Sequence, residues 1–245
     1  MPTLPIDARQ RSALGAFLRS SLWNKYALVY DELLHVAPYQ NLLRLVAKHS
    51  QTTPGGVICE LGCGTGNLLM EMSKASESRI VGIEPAEPML RQACEKARRN
   101  ARIALLQADA VIGLRSLSSG SVDTLVLCNV LYAIADRGAL WCEVSRVLAP
   151  SGKIVICHSD RGGSLPIIVE HLRCGAWRAL LRPGLYAVVI IDALISFLAA
   201  RGEFTFTPFG ALQDELQSAG FALRFETRCY GGESRGINFL ATARR

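Results

Sequence analysis

From Val57 to Ser159 the chain alternates short apolar runs with longer amphipathic ones, and this rhythm constrains its fold more than any other feature. "VICEL", "RIVGIE", "IALLQA", "VDTLVLCNV" and "GKIVICHS" read as five strands. "NLLMEMSKAS", "EPMLRQACEKARRN" and "RGALWCEVSRVLAP" read as helices between them, the last stopped at Pro150. Strands that are apolar on both faces belong in a parallel sheet covered on both sides. Helical crossovers join parallel neighbours in the right-handed sense. The expectation is an α/β fold: a Rossmann-like sheet with helices on both faces.

The segments outside this unit read differently. "SLWNKYALVYDELLHVAPYQNLLRLVAKHS" carries apolar residues at helical spacing and breaks at Pro38. After Ser159 the rhythm stops, and Gly162 to Gly202 reads as a mostly helical insertion with breakers at Pro166, Pro183 and Gly184. "FGALQDELQSAGF" is a helix closed by Gly220. "ALRFETRCY" and "RGINFLATARR" are two further strands joined by "GGES", which adds an antiparallel element.

Composition narrows the function classes. Half of the 245 residues are hydrophobic, enough for a sizeable core. The eight cysteines show no CxxC pair or metal-ligand spacing, so neither a disulfide framework nor a metal site is expected, and a cytoplasmic protein follows. The net charge is +6, and part of it lies in Arg91–Arg102, which reads as a solvated helix face or as a footprint for an anionic partner. Gly184–Ala200 is shorter than a typical membrane span and holds Asp192 at its middle. It reads as a buried helix or site cover, with a membrane-surface helix as the alternative; no transmembrane segment is expected.

The first strand runs into "CELGCGTGNL", Cys59 to Leu68. Ligands of open α/β sheets sit beyond the carboxyl ends of the strands, and glycine lets the backbone approach them closely. A dinucleotide fingerprint requires GxGxxG. Here the glycines fall at 62, 64 and 66, with Asn67 where the third would stand and Glu60 just ahead. An acid beside the loop suits a ligand with a cationic end better than a diphosphate.

With Glu84 in "VGIEPAEPML", "QADA" at Gln107–Ala110, "VDTLVLCNVLYAIAD" and "LAPSGKIVI", this loop resembles the class I S-adenosylmethionine-dependent methyltransferases of the small-molecule branch. The resemblance covers roughly 57–158 and implies a seven-stranded sheet, the last strand antiparallel, with a helical insertion after the fifth. It implies S-adenosylmethionine as cofactor. Glu60 would serve its methionine end, directly or through water, and Gly62, Cys63, Gly64 and Gly66 would form the backbone wall. Glu84 would accept from the ribose hydroxyls, a charge-assisted arrangement. Pro85 and Met89 would flank the adenine. Asp109 and Ala110 would meet its amino edge, although Asp109 also reads as a helix cap. Asn129 and Val130 would lie beneath the sulfonium. Tyr26 and Tyr30, four apart on one helical face, resemble a cofactor cover, with Trp23 a further candidate. The division expected is an N-terminal helical cap at 1–50, a cofactor-binding core at 51–160, a helical lid at 161–205 and a closing helix and hairpin at 206–245.

Methyl transfer needs alignment and exclusion of water, plus a proton acceptor when the nucleophile is a hydroxyl or an acidic carbon. His158 and Tyr26 are the candidates for that chemistry, with Asp160, Arg161 and His171 nearby in sequence; His35 and His49 read as surface residues. Tyr132 stands where many relatives carry a histidine. The apolar insertion favours a small apolar or amphipathic acceptor, methylated at O, N or C. Nucleic-acid or protein methylation, and a SAM-binding module without turnover, are the alternatives. No nucleic-acid partner is expected, membrane-surface contact stays open, and the chain is a monomer or homodimer.

Overall fold

The computed structural model describes residues 21–160, 165–173, 181–230 and 236–245; the GGES turn, Arg161 and the first twenty residues lie outside these. A helix α1 at 21–26 leads to a 3-10 turn, Tyr30–His35, and to α2, Ala37–His49. Then come β1 Val57–Leu61, α3 Asn67–Ala75, β2 Arg79–Ile83, α4 Glu87–Ala97, β3 Ile103–Leu106 and α5 Ala110–Arg115. Next are β4 Val122–Cys128, α6 Arg137–Val147, β5 Leu148–Ser159, α7 Leu165–Arg173 and α8 Pro183–Ala200. The chain closes with α9 Phe209–Ser218, β6 Ala222–Cys229 and β7 Asn238–Arg244.

The sheet has seven strands in the order β3-β2-β1-β4-β5-β7-β6. The first five run parallel, and β7 pairs antiparallel with both β5 and β6. The class I arrangement expected from the sequence is therefore present, with α7 and α8 following the fifth strand.

Alternation along the strands divides the core in two. Ile58, Ile80, Val126 and Val155 face one side, packing with Leu42 and Val46 of α2 and Leu69 and Met72 of α3. Leu61, Ile83, Leu125, Leu127, Ile154 and Ile156 face the other, against Leu140 and Val144 of α6 and Leu212 and Leu216 of α9. The chain leaves β1 toward β2 on one side and reaches β4 on the other. The carboxyl ends of β1 and β4 thus form the crevice where connections diverge, the usual ligand position in such sheets.

Seven cysteines among the described residues are free thiols, and no group of metal-ligating side chains is found among those residues. Within the basic run, Lys96 pairs with Asp31 and Arg102 donates to the carbonyls of Ser73 and Ser76, while Arg91 pairs with Glu87 at the surface and Arg98 and Arg99 are exposed.

Candidate functional site

A cavity opens over the carboxyl ends of β1, β2 and β4. Its base is the glycine loop and the turn after β4. Gly62 has φ +65° and would press a Cβ to 2.4 Å from Cγ2 of Val130, so only glycine fits beneath that turn. Gly64 has φ +54°, and a Cβ there would meet only ordinary contacts, the nearest being Met89 Sδ at 3.7 Å. Packing therefore leaves space at Gly64, and this glycine borders the cavity. Gly66 serves packing instead, lying close against Ala93 of α4.

Glu84, at the end of β2, is 6% exposed and lines the cavity. Its Oε2 accepts from the Gly64 N–H and its Oε1 from the Ala86 N–H, each at 2.9 Å. Burial raises its carboxyl above the usual range, while the two backbone donors pull it back down. Glu60 stands behind the loop on β1, 3% exposed, and its Oε2 has no hydrogen-bond partner. Burial, and then the nearby charge of Glu84, push its carboxyl well up. Two acids, one with an orphaned oxygen, are costly to bury without a ligand that compensates them.

Pro85 and Met89 line the same wall. The turn after β4 is tightly held. Asn129 has φ +53°, its N–H donates to the Cys157 carbonyl at 2.8 Å, and its Oδ1 accepts from Asn238 Nδ2 at 2.6 Å. Such a backbone is strained for a residue with a side chain and persists because its surroundings fix it. Arg137 Nη1 donates to the Leu131 carbonyl at 2.9 Å, and the Thr205 N–H to the Tyr132 carbonyl at 2.9 Å.

The roof comes from distant parts of the chain. Trp23, Tyr26, Tyr30 and Tyr39 line it from the N-terminal side, Ile167 from α7, and Asp192 and Ile195 from α8. Tyr26 donates its hydroxyl proton to Asp192 Oδ1 at 2.8 Å, and Arg182 meets Glu32 Oε2 at 2.7 Å, so two polar contacts fasten α8 to the N-terminal segment. The same segment is tied to the glycine loop through Asp31, which accepts from Thr65 at 2.7 Å and pairs with Lys96 at 2.7 Å. Burial alone would raise the Asp31 carboxyl, but Lys96, Thr65 and Asn67 hold it below its ordinary value.

Several expected residues meet in this cavity: Tyr26, Tyr30, Gly62, Gly64, Glu84, Pro85, Met89, Asn129 and Val130. Others do not reach it. Cys63 is buried with its Sγ against the Gly82 backbone. Asp109 is exposed and caps α5 by accepting from the Ile112 N–H at 3.0 Å; neither it nor Ala110 borders the cavity, because β3 is the edge strand on that side. His158 corrects the sequence expectation most clearly. It is fully buried between sheet and α9 side, edge-on to Phe239, and its Nε2 accepts from the Thr207 N–H at 3.2 Å. Burial, then the charge of Arg137, lower it to about 4, and it lies off the cavity lining. Asp160 accepts from Arg228 at 3.0 Å, and His171 Nδ1 accepts from the Ala37 N–H at 3.2 Å, so neither side chain is directed into the site. Tyr26 remains a protonated donor, since burial, followed by Asp192, raises its phenol well above 10.

The sequence reading passed over Tyr39, Phe206, Tyr230, Asn238 and Asp192 as site residues. Asp192 alone carried a signal: it is the one charge within an apolar run of eighteen residues.

A methyltransferase-domain family model matches residues 59–156, which spans the glycine loop, Glu84 and the turn after β4. Residues 59–156 are a methyltransferase domain, set in the class I fold. Around this methyltransferase core the chain is 30% identical over 137 residues to a putative methyltransferase of Bacillus subtilis, covering 54% of this chain and 53% of that protein. The chain thus spans about half the length of that curated relative. It is 27% identical to the demethylmenaquinone methyltransferase of Thermus thermophilus, over 71% of this chain and 78% of that one. Among solved structures, the 1,6-didemethyltoxoflavin-N1-methyltransferase of Burkholderia thailandensis superposes with a TM-score of 0.64. The match covers 100% of this chain and 93% of that one at 15% identity, a likeness of fold. The methyltransferase cavity fits the cofactor on its own chemistry. S-adenosylmethionine presents a cation, two ribose hydroxyls and a flat base; the walls offer the buried acid Glu84, an open glycine and apolar side chains, and Glu60 lies buried behind the loop, off the cavity lining.

Proposed function

We propose that the chain transfers a methyl group from S-adenosylmethionine to a small apolar or amphipathic acceptor. The observation that carries this reading is that Glu84, fixed by two backbone N–H groups, and the aromatic roof under α8 share one cavity. In this reading Glu84 accepts from the ribose hydroxyls, Pro85 and Met89 hold the base, and Gly62 and Gly64 admit the methionine portion. Glu60 supplies negative charge behind the loop. The cofactor supplies an already activated methyl group. The chain's own work is then to align an acceptor, exclude water and take up a proton where the acceptor loses one.

The acceptor half is read as the space between Trp23, Tyr26, Tyr132, Phe206 and Asp192. Ring faces there favour a flat or apolar body. Tyr26 orients the Asp192 carboxylate, leaving Asp192 as the polar group that addresses an N–H or O–H of the acceptor. The demethylmenaquinone and didemethyltoxoflavin enzymes, by their names, act on small ring-bearing molecules, which supports an acceptor of that class.

Calorimetric titration with S-adenosylmethionine tests the cofactor assignment. Glu84→Ala removes two charge-assisted bonds, each worth about 1.5–3 kcal/mol, so affinity should fall at least 100-fold. Unchanged affinity in a folded Glu84→Ala protein would refute the assignment. A screen of quinol, heteroaromatic and amine acceptors with labelled methyl donor tests the acceptor class; transfer confined to RNA or protein would refute it.

A further inference from the structure

Helix α8 is apolar on every side yet poorly enclosed. Its eighteen residues have a mean hydropathy of 2.0, and 22% of them are buried. A helix without a polar face is normally surrounded by apolar material. The inner face is accounted for: Leu185, Val188, Ile195 and Leu198 are buried, and Asp192 and Ile195 border the cavity. Among the described residues the outer face is not. Ile190 is 68%, Leu194 44% and Phe197 56% exposed, spaced four and three apart along one stripe, with Leu181 73% exposed just before the helix. Apolar residues scattered singly over a surface need no explanation, but a continuous stripe of large ones does.

The ends of the helix indicate what covers it. Arg182 precedes the first residue and Arg201 follows the last, and the Arg201 guanidinium lies 5.6 Å over the Phe197 ring. Arg182 is matched by Glu32, whereas Arg201 is exposed, and the whole chain carries +6. With the body of the protein covering its inner face, an outward apolar stripe that ends at an exposed arginine, on a chain of net positive charge, suits an anionic lipid surface, the arginine stem lying along the apolar region and its head reaching the headgroups. A second copy of the chain fits less well. Two such stripes packed side by side in the same direction would bring Arg201 against Arg201 of the other copy, like charges at the rim of a dry contact. Spanning is also disfavoured: the helix is about 27 Å long, short of a bilayer core, and its inner face is a wall of the cavity.

We propose that the outer face of α8 docks on the surface of an anionic lipid bilayer, with Ile190, Leu194 and Phe197 among the acyl chains and Arg201 at the headgroups. The docked face and the cavity wall are then opposite sides of one helix.

Co-sedimentation of the full chain with vesicles tests this without any turnover. One set contains phosphatidylglycerol in phosphatidylcholine, the other phosphatidylcholine alone. The protein should partition at least tenfold more strongly onto the anionic vesicles. Ile190→Ser with Phe197→Ser should lower that partitioning at least tenfold, and Arg201→Glu should lower it on anionic vesicles only. Each variant should keep wild-type affinity for S-adenosylmethionine by calorimetry, which separates this result from the cofactor assignment. Absence of partitioning, equal partitioning of the double variant, or a dimer in light scattering that the double variant dissociates would overturn the proposal.

Discussion

Glu60→Gln is expected to make the protein more stable and a poorer ligand binder at once. Glu60 is 3% exposed and its Oε2 is orphaned, so the charged form lacks compensation on that side. Glutamine has the same size, so no hole is created, and the change acts through charge. An unpaired buried polar group costs about 1–3 kcal/mol, more when charged. For a chain of this length that is roughly 2–10 °C in Tm. The pH dependence fixes the cause. Burial and Glu84 raise the folded-state carboxyl above its unfolded value of 4.5. The folded state therefore holds its proton more tightly than the unfolded one, and the wild type loses stability as pH rises from 4.5. The gap between variant and wild type should be closed below pH 4.5 and widen toward pH 8, as read by thermal denaturation across that range. Loss of this charge behind the loop should also lower the affinity for a cationic ligand at least tenfold in calorimetry, about 1.4 kcal/mol. A variant no more stable than wild type at pH 8, or a gap that ignores pH, would refute the idea that this carboxylate is held at a cost until a cation arrives.

Two other perturbations separate packing from function. Gly64→Ala meets no clash, only a left-handed backbone, so it should cost about 1–2 kcal/mol of stability, yet lower S-adenosylmethionine affinity at least tenfold by filling the cradle; a folded variant with wild-type affinity in calorimetry would remove this glycine from the site. His158→Gln should keep methyl transfer. Because the wild-type imidazole is held near 4 against 6.5 when unfolded, the wild type loses up to about 3 kcal/mol as pH falls from 6.5 to 4, and the variant should lose that dependence in acid denaturation. A folded variant without turnover would restore His158 as the proton acceptor.

The parts of this molecule that could be read in advance are those set by local chemistry. Strand alternation sorted Ile58 from Cys59 and Val126 from Leu125 onto opposite faces, and the glycine spacing with Glu84 marked the crevice. What escaped depends on contacts between distant segments. Tyr26 and Asp192 are 166 positions apart, and no periodicity joins them. Asp109 could be a ligand or a cap from its neighbours alone; the exposure of the β3 end decides for the cap seen here. His158 ends a strand beside the crevice in sequence, but the pleat turns its ring to the opposite face, against Phe239. The basic run read as a solvated helix face or a footprint for a partner; Lys96 and Arg102 turn inward to Asp31 and to the carbonyls of α3 and the turn that follows it, while Arg91, Arg98 and Arg99 stay at the surface.

The hydrogen bond from Asn238 to Asn129 has a consequence for the order of events on the ribosome. The glycine loop and Glu84 are made before the rest of the sheet, and the strands that carry them, β1 and β2, can pair once both have emerged. The turn that forms the base of the cavity is held in its left-handed shape by Cys157 of β5 and, through its side chain, by a strand that is synthesised more than a hundred residues later. Until residue 238 has left the exit tunnel and β7 has inserted between β5 and β6, the nascent chain has a cradle without a floor. Competence to hold a cofactor therefore arrives with β7, and ligand binding reports the insertion of that strand rather than folding of the core.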